Sequence, residues 1–435
     1  MALTVGQEVE VLIEKPASGG RMIARHDGEV LLVSGAIPGE RVAAAVTRAD
    51  KRVAFADTAR VLESTADRRM PAGDPRCGGC LYAHIDYPRQ RALKADIIRD
   101  AFTRIGRMPV ESAIDVAASP ERGYRMRARF HVRGGRPGFY REGSRDLCDA
   151  ALTGQVTEAS LEAVEAAVAA LAAQAVTVLS VELSENIAAD QRALHLDLRE
   201  PKPSRDALER AITAAGLTGL TARTMDNAFH AAGDPIVSDP LQALTEGRAP
   251  NGWLRRHPES FFQANRFLIG TLTAAVMDSA QPGPILDLYA GVGLFAVALA
   301  ACGRADITAV EGDKVSGQDL LRNATPFAGQ LRVARESVEA FLARGVRAPA
   351  NLIVDPPRTG MSKEAGDAIV GSGAGRIIYV SCDAPTMARD ARRLLDGGYR
   401  LVSLQGFDLF PNTPHVETLG VFDRGESSRQ AVPSA

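Results

Sequence analysis

Hydrophobic and polar positions follow three rhythms along the chain. Up to about residue 62 they alternate in short runs: Glu8-Val9-Glu10-Val11-Leu12-Ile13, then Glu29-Val30-Leu31-Leu32-Val33, then Arg41-Val42-Ala43-Ala44-Ala45-Val46. Ser18-Gly19-Gly20 and Pro38-Gly39 break them apart. A period near two, cut by glycine turns, predicts a small β-barrel over 1–62. A stretch rich in Arg, Asp, Pro and Gly (63–76) reads as a linker. The rhythm over 63–250 is mixed: a polar helix from about Tyr87 to Ile105, an alanine-rich amphipathic helix over 158–175, and strands near Val176–Leu183 and Ala193–Leu198. From about residue 255 short apolar runs alternate with helical ones. The runs are Ile285-Leu286-Asp287-Leu288, Asp306 to Glu311, Asn351-Leu352-Ile353-Val354 and Arg376-Ile377-Ile378-Tyr379-Val380. That alternation marks a doubly wound parallel sheet. The expected class is therefore α/β, with a Rossmann-like domain over 251–425 after a barrel and a mixed α/β centre. The last ten residues, 426–435, read as a disordered tail.

Composition narrows the setting. The 435 residues allow two or three domains. No run approaches the ~20 apolar residues of a membrane span. Met1-Ala2-Leu3-Thr4-Val5 lacks a signal peptide's charged and apolar regions, so a cytoplasmic protein is expected. Five cysteines, an odd number, fit a reducing compartment better than a disulfide framework. The net charge of -2 conceals a basic cluster of Arg122, Arg125, Arg127, Arg129, Arg133, Arg136, Arg141 and Arg145. Tyr124, Phe130, Phe139 and Tyr140 lie within it, a mixture suited to phosphate contact and base stacking. A strand pair with charged outer faces is the plainer alternative.

Candidate chemistry gathers at strand ends. Cys382 follows an apolar strand and precedes the helix that opens at Pro385-Thr386. A cysteine there sits where α/β folds place reactive groups, and a helix amino terminus favours its nucleophilic thiolate. A buried structural thiol is the other reading. Gly291-Val292-Gly293 follows another strand, and Glu311 closes the next one about 20 residues on, where such folds hold a ribose. Asp355 precedes a double proline that fixes a turn at a strand end. His415 and Glu417 alternate about Val416, would share one face of a strand, and supply a general base. Cys77-Gly78-Gly79-Cys80 suggests a metal or redox site, with Cys148 as the candidate third ligand. Cys302 falls in an apolar helix and reads as core.

Taken together, SFFQAN, LDLYAGVG, VDPPRTG, YVSCDAPTMARD and FPNTPHVE, in that order, resemble the RNA uracil-C5 methyltransferase family. That family makes 5-methyluridine from S-adenosylmethionine, and the likeness spans nearly the whole chain. The amino-terminal barrel looks like its TRAM domain. The resemblance implies Cys382 as nucleophile and Glu417 as general base. It places Gln263, Tyr289, Glu311 and Asp355 at cofactor-contacting positions, and leaves Arg358 and His415 without a role. Members with a [4Fe-4S] cluster carry four cysteines, the first six positions before the CxxC. Pro71 stands there, so Cys77, Cys80 and Cys148 would need a fourth ligand such as Asp74. Leu294 and Asp383 replace a polar residue and an asparagine common in the family.

The expected partner is RNA, ribosomal RNA ahead of tRNA, with a monomer acting on it. Rival readings are cytosine or exocyclic-nitrogen methylation, a catalytically silent RNA-binding protein, and an iron–sulfur redox protein. Intact Cys382 and Glu417 favour the uracil enzyme.

Overall fold

A computed structural model describes residues 3–71, 73–200, 202–346 and 348–425; the predicted tail lies outside them. Five strands, β1 (Glu8–Pro16), β2 (Met22–His26), β3 (Glu29–Ser34), β4 (Arg41–Ala49) and β5 (Val53–Glu63), close into a barrel in the order β1-β2-β3-β5-β4. Their alternate residues Val9, Val11, Ile13, Leu31 and Val33 fill its interior, as the period-two pattern requires. The same core takes in Tyr82, Ile85 and Leu93, so the first helix, α1 (Tyr87–Arg104), is packed on the barrel. Arg68, in the predicted linker, forks onto buried Glu40 through Nε and Nη2 at 2.6 and 2.7 Å.

A second sheet, of seven strands, forms the centre. It comprises β7 (Arg127–Arg133), β8 (Arg136–Tyr140), β9 (Leu147–Asp149), β10 (Val178–Glu185), β11 (Arg192–Leu198), β12 (Gly219–Thr224) and β13 (Phe229–Gly233). The spatial order is β13-β12-β11-β10-β7-β8-β9. A short helix α2 (Ala150–Thr153) follows β9, and helices α3 (Glu158–Ala172) and α4 (Arg205–Ala215) pack on the sheet. Thr157 and Ser204 cap α3 and α4 by accepting from the backbone of the third residue on, the usual reason such residues open helices. Half of the basic cluster, Arg127, Arg129, Arg133 and Arg136, lies on the paired strands β7 and β8; Arg122, Arg125, Arg141 and Arg145 lie in the flanking loops.

The third sheet carries the chemistry. A ribbon of β14 (Val237–Pro240) and β15 (Trp253–Arg256), with α5 (Leu241–Leu244) between them, leads into it. Its strands are β6 (Val116–Ala117), β16 (Ile285–Leu288), β17 (Ile307–Val310), β18 (Leu331–Ala334), β19 (Asn351–Val354), β20 (Arg376–Ser381), β21 (Tyr399–Phe407) and β22 (Glu417–Arg424). They lie in the order β18-β17-β16-β19-β20-β22-β21-β6. Helices α6 (Ile269–Ser279), α7 (Leu294–Ala301), α8 (Lys314–Ala324), α9 (Val338–Leu342), α10 (Lys363–Ser372) and α11 (Ala384–Asp396) alternate with the strands. Every residue of β16 and β19 is buried, which explains their unbroken apolar character. Strands β16 to β20 run parallel, and the order reverses between β16 and β19, so a crevice opens beyond their carboxyl ends. Strand β22 runs back antiparallel between β20 and β21. Strand β6, from well before residue 251, adds to the far edge by pairing with β21. Among the described residues no helix is long and apolar enough to cross a membrane.

Candidate active site

Five of the six residues singled out for catalysis and cofactor binding lie just past a strand of this sheet or open one. Tyr289 follows β16, Glu311 follows β17, Asp355 follows β19, Cys382 follows β20, and Glu417 is the first residue of β22. Gln263 reaches the same place from the SFFQAN segment. All six line one cavity of about 560 Å³, together with Phe261, Arg358 and Phe410.

Each is held by local chemistry. Tyr289 takes a left-handed backbone (φ 60°), unusual for a tyrosine and a common mark of functional turns. Gly293 also has positive φ (96°), and a Cβ there would come within 2.7 Å of Leu320, so the glycine turn admits no side chain. Glu311 ties the turn to the next strand: one oxygen accepts from Gly291 N at 2.7 Å, the other from Asp313 N at 2.6 Å. Gln263 stands between two anchors. Ser260 donates to Asp319 at 2.7 Å, and buried Asn265 donates to Ser119 Oγ and Leu409 O at 2.8 and 3.0 Å. Gln263 Nε2 then donates to Asp355 Oδ2 at 3.1 Å.

The register of β20 on β22 pairs Ser381 with Thr418, which sets Cys382 and Glu417 side by side. The segment before β22 is pinned from outside. Asn412 exchanges hydrogen bonds with Gln90 of α1, each 2.9 Å long, and Lys94 of α1 forms a buried ion pair with Asp408.

The electrostatics are those of a dry site. Burial lifts the Asp355 carboxyl to about 7, against the opposing hydrogen bond from Gln263. Burial, then the charge of Asp355, raises Glu417 well above the usual carboxylate range, and Arg358 works the other way. Glu417 Oε1 is buried and accepts no hydrogen bond from the described residues. Burial, then Glu417, pushes the Cys382 thiol up to about 11, while Arg358 opposes both by its charge and a hydrogen bond. Burial and Glu417 therefore act against the thiolate that the helix amino terminus favours. Asp383 caps α11 by accepting from Thr386 N at 2.9 Å, and so occupies that helix end.

Two sequence readings are corrected. His415 does not share a strand face with Glu417, because β22 begins only at Glu417. His415 packs edge-on to Phe410, and burial holds its imidazole near 4, hence neutral. The cysteines Cys77, Cys80 and Cys148 do gather, with Asp74, around a cavity of about 190 Å³. Yet Cys77 and Cys148 are joined as a disulfide, against the expectation that both would serve as ligands in a reducing compartment. The pairing of β8 with β9 and the contact of Cys77 with Arg141 bring the two together. Cys80 is left as a buried thiol, raised to about 11 by burial and Asp74, and Asp74 is itself ion-paired to Arg141 at 2.6 Å. A four-iron cluster needs four anionic donors, and this set does not fit one. Among the described residues no group of three metal-binding side chains is found elsewhere either.

Sequence reasoning left Arg358 without a role and passed over Phe261. Arg358 is the cation that faces both Cys382 and Glu417, and Phe261 is an exposed ring at the cavity mouth. The double proline was the only signal for the first, and an aromatic two residues before Gln263 for the second.

Comparison with known proteins bears on this geometry. Residues 2–59 match the TRAM domain profile, and residues 250–424 match that of tRNA (uracil-5-)-methyltransferase. The 23S rRNA (uracil(1939)-C(5))-methyltransferase RlmD of Pseudomonas entomophila is 31% identical over 97% of this chain and 95% of its own length. The chain belongs to the RNA uracil-C5 methyltransferase family. An RNA methyltransferase of Streptomyces avermitilis without an assigned substrate is also 31% identical, over 96% of this chain and 99% of its own. The tRNA (uracil-54, C5)-methyltransferase of Pyrococcus abyssi, solved with S-adenosyl-L-homocysteine, superposes with a TM-score of 0.74. It covers 95% of this chain and 99% of its own at 20% identity, which shows a shared fold.

Proposed function

We propose that this protein methylates C5 of a uridine in ribosomal RNA, with Cys382 as nucleophile and Glu417 as general base, in the cytoplasm. The observation that carries the reading is the adjacency of that thiol and that buried carboxylate, fixed by the β20–β22 register. The 23S rRNA named for the Pseudomonas relative favours ribosomal RNA over tRNA. The proposed divisions are 1–62, 63–250 and 251–425.

The cavity suits S-adenosylmethionine. Its carboxylates Glu311 and Asp355 offer acceptors for ribose hydroxyls and an ammonium, beside a glycine turn that admits close approach. Gln263 and Tyr289 complete the proposed contacts. When bound, the cofactor supplies an electrophilic methyl group.

The chain's own residues do the rest. Uracil C5 is a weak nucleophile until a group adds at C6. Sulfur of Cys382, once deprotonated, forms a bond to C6 as the C5–C6 pair shifts toward the C4 carbonyl, giving an enolate. Arg358 is the cation already in place to lower the thiol and hold the negative charge. After C5 has gained the methyl, Glu417 removes the remaining C5 proton. The electron pair restores the C5–C6 double bond and expels the Cys382 sulfur. A carboxylate lifted by burial is a stronger base than one in water, which fits that task. The ring must leave its stack to reach both groups, so a flipped or single-stranded uridine is required.

The test uses methyl-labelled S-adenosylmethionine with separate unmodified rRNA and tRNA pools, digested to nucleosides and resolved by mass spectrometry. Labelled 5-methyluridine from rRNA, absent with Cys382→Ala, is the expected result. Label in tRNA alone moves the substrate, label in cytidine moves the reaction, and label surviving in Cys382→Ala removes the nucleophile.

A further inference from the structure

The central sheet has two unlike faces. Phe130, Leu183, Leu196 and Ala222 point into the core that contains residues of α3 and α4. Their neighbours Arg129, His131, Ser180, Asp197 and Arg223 point the other way and line a shallow depression of about 360 Å³. Isolated hydrophilic sheet faces need no partner, but this one is joined to the catalytic cavity. Arg127 sets its guanidinium 5.9 Å from the centre of the Phe261 ring, and Arg223 forms a 3.0 Å ion pair with Glu259. Phe261 and Glu259 both line the cavity.

At the opposite end of β7 the surface changes character. His131 lies flat against Tyr140, ring centres 3.8 Å apart and planes within 14°. Beyond the pair, the Gly134-Gly135 turn presents Arg133 and Arg136, both exposed, and neither has an acidic partner among the described residues. Arg129, between the two ends, is half engaged with Glu182 and Asp197. The strip from Arg127 to Arg133 is about 20 Å long at ordinary strand rise. Burial and the flanking Arg129 and Arg133 hold His131 below its ordinary pKa, which disfavours a charge on the stacked ring.

We propose that this open face carries the single-stranded RNA that flanks the target uridine, with Arg133 and Arg136 on phosphates and the His131–Tyr140 pair beneath a base. Unpaired arginines beside a flat aromatic pair match a nucleic-acid strand better than an apolar partner: cations meet phosphates, and any base can stack. Continuity with the cavity through Phe261 gives the strand its direction. The proposal rests on RNA being the substrate.

The experiment compares a short uridine oligonucleotide with RNAs lengthened on either side, for the unaltered protein, R133E/R136E and Tyr140→Ala. Thermal unfolding is recorded alongside to establish that each variant folds. For the unaltered protein, KM should fall at least tenfold as one flank is extended. R133E/R136E should lose that gain with kcat within about twofold, and its binding should depend less steeply on salt, by about 0.7 per lost phosphate contact. Tyr140→Ala should weaken binding of the extended RNA about five- to a hundredfold. Equal KM, equal salt slope and equal affinity in folded variants overturn the proposal. Failure of the function reading looks different: no RNA is methylated, while direct binding of the extended RNA still reports on the strip.

Discussion

Asp408 and Glu417 are nine positions apart, both fully buried, and differently surrounded by charge. Asp408 meets the Lys94 ammonium, which also donates to Phe410 O at 3.1 Å. Burial alone would lower the lysine and Asp408 counters it, so the two charges hold each other in place. Glu417 has Asp355 as a like-charged neighbour and Arg358 as the counterweight among the described residues; its Oε1, like Asp408 Oδ2, has no hydrogen bond there. Burial and one orphan oxygen are common to both; the direct ion pair separates them. A buried charge with a dedicated partner fixes a segment, whereas one left short of partners has a shifted affinity for protons and is free to move one.

The sharpest way to break this contrast is to remove the proton acceptor. Glu417→Gln should lower kcat by about 10²- to 10⁴-fold. Cys382 can still add to C6, so a covalent protein–RNA complex that survives denaturing electrophoresis should accumulate; its absence would show that Glu417 acts before the adduct forms.

Breaking the structural pair should act on folding. Lys94→Met strands the Asp408 carboxylate and should cost about 3–5 kcal/mol in urea unfolding. Replacing both partners with apolar residues should recover much of that loss. Equal stability of the single and double variants would mean that the pair is not coupled.

A subtler effect comes from Asp355, which titrates near 7 in the fold against about 3.9 in an unfolded chain. The folded state therefore holds the extra proton between those values. Its contribution to stability is complete below the lower value and is lost as pH rises through the upper one. Asp355→Asn should raise the melting temperature of the cofactor-free protein by a few degrees at pH 8 and by less at pH 5. It should also impair methyl transfer. A shift of the same size at both pH values would count against a perturbed carboxyl. The smallest expected change is Asp383→Asn: asparagine caps a helix as well as aspartate does, so stability should move by only a few tenths of a kcal/mol. Removing the carboxylate beside Cys382 should speed alkylation of its thiol, read by mass spectrometry.

The strand ends were legible because they obey local rules. Apolar runs end in glycines, prolines or acids, and a doubly wound sheet brings such ends to one crevice whatever lies between them. Cys382, Glu311 and Asp355 could be picked out that way. What escaped depends on register between distant segments. Nothing within the proline turn says that Arg358 faces both Cys382 and Glu417, and an alternating His-Val-Glu does not reveal that β22 starts at its last residue. The cysteines failed for a related reason. Their spacing suggested a ligand set, but which sulfur meets which was decided by the β8–β9 hairpin, whose Cys148 lies 71 residues beyond Cys77.

The short strand β6 has a consequence for how this enzyme can be divided. It completes the edge of the catalytic sheet from a position far upstream, and α1 just before it supplies Lys94 and Gln90 to the loop ahead of Glu417. A fragment starting near residue 250 would have every proposed reacting group and still expose the unsatisfied backbone of β21, a template for self-association. Its catalytic loop would lose its moorings. The methylating half is therefore not a portable cassette: recombination could exchange the barrel more readily than it could transplant the reaction centre, whose integrity is underwritten by residues that take no part in the chemistry.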